Sequence, residues 1–186
     1  MKRIKYIFSL ILILCAFDCF AEEKIKIGFS FGTAAVSYGD EERKSMGKNL
    51  NRVVLEGDVA LGFVLAKPLN FSIGAVSLCD FRFQDGQHFN LIDYAFYTGI
   101  RLYPGIGGLR AGIDYMLGRR TDFINIESVA KEVYSTQWGN GFRFSVEYDF
   151  SYGVDGFAPM IGGSWRHMPR GGYSDNIFSI FFRCNI

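Results

Sequence analysis

The sequence is poor in the residues that metal sites and nucleic-acid surfaces depend on. It has two histidines, His88 and His167, far apart in sequence, and four cysteines, of which Cys15 and Cys19 fall in the first twenty residues. No His/Cys cluster has metal-ligand spacing, so neither a metal nor another cofactor is expected. The formal net charge is +1, which supplies neither a basic field for nucleic acid nor an acidic tail. No glycine loop of the phosphate-cradling kind occurs. Beyond residue 21 no stretch holds 18 consecutive apolar residues, which excludes a spanning helix there.

The first residues have a different character. Lys2, Arg3 and Lys5 precede an apolar run from Tyr6 to Phe17, broken only by Ser9, and Cys19-Phe20-Ala21 places small residues before Glu22. This is the charged, apolar, cleavage-site order of a secretory signal peptide, expected to span 1–21. The apolar run falls short of the roughly 20 residues that cross a bilayer. Leu14 and Asp18 stand ahead of Cys15 and Cys19, where lipoprotein processing would require a small residue. Residues 22–186 then form one domain.

What the chain has in quantity is aromatics, 17% with 19 Phe and 10 Tyr, and glycine, 22 in all. They fall in segments of strict alternation. Over Lys24–Phe31, Ile25, Ile27, Phe29 and Phe31 share one face and Lys24, Lys26, Gly28 and Ser30 the other. Over Arg52–Ala66, Val53, Leu55, Val59, Leu61, Phe63 and Leu65 oppose Glu56, Asp58, Ala60 and Gly62. The pattern recurs over Asn70–Phe83, Asn90–Tyr103, Gly108–Gly118, Trp138–Phe150, Phe157–His167 and Asn176–Ile186. A period of two marks strands with two different faces, and no useful helical period appears. Eight strands are expected.

The connections alternate as well. Those after strands 2, 4 and 6 are tight and rich in Pro, Gly and Asp: Ala66-Lys67-Pro68-Leu69, Pro104-Gly105-Ile106-Gly107 and Ser151-Tyr152-Gly153-Val154-Asp155. Those after strands 1, 3, 5 and 7 are expected to be mostly longer and more polar, the first running Tyr38–Asn51 and the third about Arg119–Gln137. Short turns on one rim and long surface loops on the other is the layout of membrane barrels, with both termini on the short-turn side.

The polar faces decide which solvent surrounds the barrel. They carry Glu56, Asp58, Asp80, Asp93, Asp114 and Glu147, and Arg82, Arg101, Arg110, Arg143, Arg166 and Arg183, with no lysine on those faces of strands 2 to 8. A water-facing surface would use lysine freely, whereas arginine suits buried carboxylate pairs. The charged face is therefore expected to be a lumen filled by an ion-pair network, and the apolar face to be lipid contact. A soluble, lipocalin-like barrel would reverse the two, and Ser77, Thr98 and Asn140 on the apolar face favour that alternative. Trp138 and Trp165 are expected near the long-loop ends, and Tyr103, Tyr148, Phe150 and Tyr152 near the short-turn ends, as two girdles. Cys79 and Cys184 fall toward opposite rims.

With this strand number, loop alternation, Arg/acid lumen and alternating last strand, the chain resembles the small eight-stranded outer-membrane family that includes the OmpA barrel domain and OmpX. The resemblance covers the whole of 22–186. It implies an all-β, antiparallel up-and-down transmembrane barrel in a bacterial outer membrane. Outer-membrane lipid would surround it, and the barrel-assembly machinery would read the last strand. Phe178, Ile180, Phe182, Cys184 and Ile186 keep the alternation there, but the final residue is Ile rather than the family's terminal aromatic. The function implied is non-enzymatic: adhesion, surface interaction or envelope stability, with a ligand that no loop motif names.

A second resemblance touches Trp165-Arg166-His167-Met168-Pro169, Gly171-Gly172 and Ser174-Asp175-Asn176, which look a little like the end of outer-membrane lipid A deacylases. It implies an acyl hydrolase using His167 on the lipid face. Pro169 stands where that family's nucleophilic serine sits, so the histidine has no hydroxyl beside it. Ser174 replaces it only if the chain folds back. No catalytic residue is assigned. A narrow pore or small-molecule carrier is the further alternative.

Overall fold

The computed structural model describes residues 25–46, 49–66, 68–127, 130–152 and 158–185. The expected signal segment 1–21 lies outside them. The strands are β1 (Ile25–Ser37), β2 (Asn51–Ala66), β3 (Leu69–Gln84), β4 (Gln87–Leu102), β5 (Leu109–Ile126), β6 (Ala130–Ser135), β7 (Gly139–Asp149), β8 (Ala158–Arg170) and β9 (Tyr173–Asn185), with one short helix α1 (Glu41–Ser45) after β1. All strand pairs are antiparallel, and β4–β5 and β1–β9 pairing closes the sheet. β6 pairs with the far end of β5 and β7 with its near end, so the two form one stave. The fold is a closed, eight-stranded up-and-down barrel.

Its stagger can be read from the register. Cross-strand partners run from Ile27 through Leu61, Ile73, Thr98, Tyr115, Phe142, His167 and Asn176 and return to β1 at Ser37, ten residues beyond the start. Closure with such a shear tilts the strands by about 35–45° and leaves an interior just wide enough for side chains. Polarity is inverted relative to a soluble barrel. Phe31 and Ile180 on the outer wall are 68% and 67% exposed, while Asp80 and Asp114 inside are 0% exposed. Ser77, between Gly57 and Tyr94, and Thr98, between Ile73 and Tyr115, are isolated polar positions in an apolar wall.

The rim opposite the short turns departs from the sequence-based expectation of long loops. Only the first connection is long. β3 and β4 are joined by Asp85-Gly86, both at positive φ (49° and 78°), the backbone of a two-residue type I′ hairpin. β8 and β9 are joined by Gly171-Gly172. The expected loop Arg119–Gln137 is mostly strand: β5 continues to Ile126, and β6 returns from Ala130. The strands outrun the apolar alternation because outward positions there are mostly polar: Arg119, Thr121 and Asn125, with only Phe123 apolar. The ladder persists where lipid no longer demands an apolar side chain. Trp138 directly precedes β7, at the expected end, whereas Trp165 lies within β8, short of its end at Arg170.

Two further expectations change. β8 does not end at His167, the last residue of the expected strand, but passes through Pro169 to Arg170. Pro169 is tolerated because it lies beyond the β7–β8 pairing, which ends at His167, and has only Ser174 as a cross-strand partner. The first connection folds inward. Asp40 caps α1 by accepting from the Glu42 and Arg43 amides (3.0 and 3.4 Å), and Tyr38 packs with Phe89, Leu91 and Ile124 over the end of the lumen.

Candidate functional site: the lumen

The inward side chains form two ionic clusters. The lower one, toward the short turns, is built entirely from strand residues. Arg101 grips Asp114 with both Nη atoms (2.5 and 2.9 Å). Arg143 donates from Nε to Asp114 (2.7 Å) and from Nη1 to Asp58 (2.8 Å). Arg183 reaches Asp58 and Glu147 (3.4 Å each), and Arg110 pairs with Glu147. Tyr97 donates its hydroxyl to Asp58 (2.9 Å), and its ring lies 4.2 Å beneath the Arg143 guanidinium. Tyr97 crosses the lumen because β3 has Gly74 there; a Cβ at Gly74 would collide with the Tyr97 ring.

The upper cluster begins at Glu56, which accepts from Ser179 Oγ (2.9 Å) and Arg166 (3.4 Å). Arg166 and Arg170 share Asp93. Arg170 and Arg120 share Asp175 at 2.8 Å each, and Arg120 continues to Asp122 (2.8 Å). Arg43 of α1 completes the chain, 3.3 Å from Asp122. Beside it Asp80 is held by Arg52 (2.8 Å), Arg82 (3.0 Å) and the Tyr38 hydroxyl (2.7 Å). Burial, reinforced by the Asp80 carboxylate, pushes the Tyr38 phenol above its ordinary range, so it remains a donor.

No ion pair among the described residues joins the two clusters. Met116 lies between Asp114 and Arg120 on β5, and Ala95 between Tyr97 and Asp93 on β4. Both belong to a buried apolar group with Ala60, Val76, Tyr97 and Met168. Glu56 and Arg166 pass this group without reaching Asp58 or Arg143.

The twelve charged residues read from sequence therefore occupy two clusters, not one continuous network. Six further charged residues of the upper cluster were not read as lumen residues: Arg43, Arg52, Arg120, Asp122, Arg170 and Asp175. Four of these lie where the alternation had faded, yet their parity continues that of Arg110 and Asp114 on β5 and of Arg166 on β8. Arg43 is brought in by the fold of the first connection, which no strand period encodes.

His167 and Ser174 do not form a nucleophile pair. His167 Nδ1 contacts Asn176 Oδ1 at 2.9 Å, and Asn176 also accepts from Trp165 Nε1 at 3.2 Å. Ser174 lies opposite Pro169. Asp175 points the other way, into the lumen, where Arg120 and Arg170 hold it. Cys79 and Cys184 are free.

No protein-family model and no curated protein matches the sequence. Solved structures do match the fold. Neisserial surface protein A is similar over 87% of this chain and 96% of its own, at 8% identity and a TM-score of 0.56. Ail, the attachment invasion locus protein of Yersinia pestis, solved with the heparin analogue sucrose octasulfate, is similar over 88% of this chain and 100% of its own, at 9% identity and a TM-score of 0.53. At such identities the likeness establishes the fold, that of the small outer-membrane barrels.

Proposed function

We propose that this chain is a non-enzymatic barrel of a bacterial outer membrane, sealed along its axis, that works through the surface of its hairpin end. Residues 1–21 direct export, and the barrel-assembly machinery takes up the alternating C-terminal strand. The observation that carries this reading is the inverted polarity: a wall of Phe, Leu, Ile and Val outside, buried Arg–carboxylate pairs inside. Water would reward the opposite arrangement, while lipid requires this one. The sealed lumen supports adhesion, surface interaction or envelope stability over transport, and similarity to proteins named for surface and attachment roles favours the same class.

The test is cell fractionation with surface proteolysis of intact cells, followed by gel migration with and without boiling. Protein in the outer-membrane fraction, clipped at the hairpin end and compact until boiled, supports the proposal. Recovery in the soluble fraction with migration indifferent to boiling overturns it. Purified protein in mixed micelles is expected to release no fatty acid from lipid A-type substrates, and His167→Asn to leave its cellular phenotype unchanged. Release abolished by both His167→Asn and Ser174→Ala would establish the hydrolase instead.

A further inference from the structure

Among the described residues the lower cluster sets four arginines against three carboxylates. Asp58, Asp114 and Glu147 meet Arg101, Arg110, Arg143 and Arg183, and Lys26 stands at the mouth. Asp149, the next acid toward the short turn, keeps its charge but accepts only from the amide and hydroxyl of Ser151 (2.9 and 2.8 Å) and forms no ion pair with these arginines. The imbalance is concentrated on one side of the lumen. A cavity of about 30 Å³ opens there, lined by Lys26, Arg101, Arg110 and Arg183 with the neutral Asn70, Ser72 and Asn185, and by no carboxylate among the described residues. Two of its buried polar atoms have no hydrogen-bond partner, Ser72 Oγ and Arg110 Nε, and Arg183 Nε has only the Glu147 carboxylate at 3.4 Å. Ser72, Arg110 and Arg183 are 6%, 5% and 4% exposed.

We propose that this cavity is a site for one small inorganic anion of the halide class, chloride under ordinary conditions. Donors converge on it from β1, β3, β4, β5 and β9. A buried cationic cluster short of negative charge is costly unless an anion completes it. The volume sets the size: a water needs about 10–15 Å³ of such space, so the cavity takes one or two atoms of that scale and no organic acid. Water would satisfy the open donors but leave the charge, and a metal cation would add to it. The site rests on the closed barrel and not on its location in a cell. It therefore fails or stands separately from the outer-membrane assignment.

Gly62 offers a way to fill the site from within. A Cβ there would meet nothing nearer than the Lys26 carbonyl oxygen at 3.7 Å and Lys26 Cβ at 3.9 Å, ordinary contact distances, so Gly62→Asp places a carboxylate beside Lys26 without displacing backbone. The experiment is thermal unfolding of the full barrel in zwitterionic detergent at constant ionic strength, in sodium chloride, sodium bromide and sodium gluconate. A ligand of the folded state raises the midpoint in a saturable way. Chloride and bromide are expected to do so and gluconate, too large for the cavity, is not. Gly62→Asp is expected to lose the halide increment and to match in gluconate the midpoint of wild type in chloride. Equal midpoints in all three salts, or an undiminished chloride increment in Gly62→Asp, overturn the proposal. Anomalous diffraction from wild-type crystals in bromide checks it without a variant: a bromide peak among Lys26, Arg101, Arg110 and Arg183 supports the site, and water only in that space overturns it.

Discussion

The two ends of the lumen solve one problem by different means. Below Met116, every charged partner sits on a strand, and its position is fixed by the same ladder that closes the barrel. Above it, the network extends past the apolar wall and is finished by Tyr38 and Arg43 from the first connection. The lower cluster is thus inseparable from the barrel, whereas the upper one is closed by residues that the strand ladder does not hold. Buried ion pairs contribute little net stability compared with apolar packing, yet removing one partner is severe, because the other is left charged and dry. The comparison therefore predicts graded effects along the axis.

The largest effect is expected from Arg143→Ala. This side chain bridges Asp58 and Asp114 and is 3% exposed; its loss leaves Asp114 with Arg101 alone and Asp58 with only Arg183 at 3.4 Å and the Tyr97 hydroxyl, and should cost about 3–5 kcal/mol. Arg101→Ala belongs to the same class. The measurement is the urea midpoint of protein folded into lipid vesicles. A small change, like that of an exposed residue, would mean that solvent reaches the lower cluster and would erase the difference between the ends.

Next comes Asp175→Asn, which removes the charge shared by Arg120 and Arg170 and leaves one acceptor oxygen where two now serve them and the Gly39 amide (3.1 Å). The barrel below should persist while the first connection loosens. The expected readout is faster proteolysis within 38–50, with heat-modifiable migration retained. Loss of migration behaviour together with protection would show that the upper cluster is as integral to the barrel as the lower.

The contrast between the ends also explains what the sequence made legible. Along β4 and β7, lipid on one side requires Phe96, Ile100, Phe144 and Val146, so the alternate positions of Arg101, Arg143 and Glu147 stand out against them. Strand number, pairing order and inward parity follow from that constraint. Past Gly118 the outer face meets polar surroundings, Arg119 and Thr121 become acceptable outward residues, and the period vanishes although the hydrogen-bond ladder does not. The inward places of Arg120, Asp122, Arg170 and Asp175 were hidden for that reason. Tyr38 and Arg43 were hidden for another: tertiary contacts to Asp80 and Asp122, tens of residues away, draw them in.

A smaller and pH-dependent effect is expected at Tyr38. Its folded phenol titrates above the ordinary value, so the contribution of the Tyr38–Asp80 bond is fully present below the unfolded phenol pKa of about 10 and is lost as pH rises through the folded value. Tyr38→Phe should cost about 1.5–3 kcal/mol at neutral pH, as for a hydrogen bond to a charged group. It should also flatten the alkaline opening of 38–50 seen by proteolysis between neutral and strongly alkaline pH. An alkaline opening unchanged in Tyr38→Phe would assign it to another group.

The smallest effect is expected from Lys44→Ala, and its value lies in its neighbour. Lys44 and Arg43 are consecutive on α1. Arg43 is 7% exposed and reaches Asp122 in the lumen, while the Lys44 side chain is 52% exposed and pairs only with Glu41, itself 80% exposed. An exposed pair of this kind is worth about 0–1 kcal/mol and is screened by salt. Arg43→Ala instead leaves Asp122 with a single partner and uncovers the top of the cluster. Lys44→Ala should therefore leave proteolysis of 38–50 unchanged, and Arg43→Ala should accelerate it at every ionic strength. If both variants opened the segment equally, and salt abolished both effects, α1 would be held by surface charge alone, and the upper end of the lumen would be a loose lid over the barrel instead of its continuation.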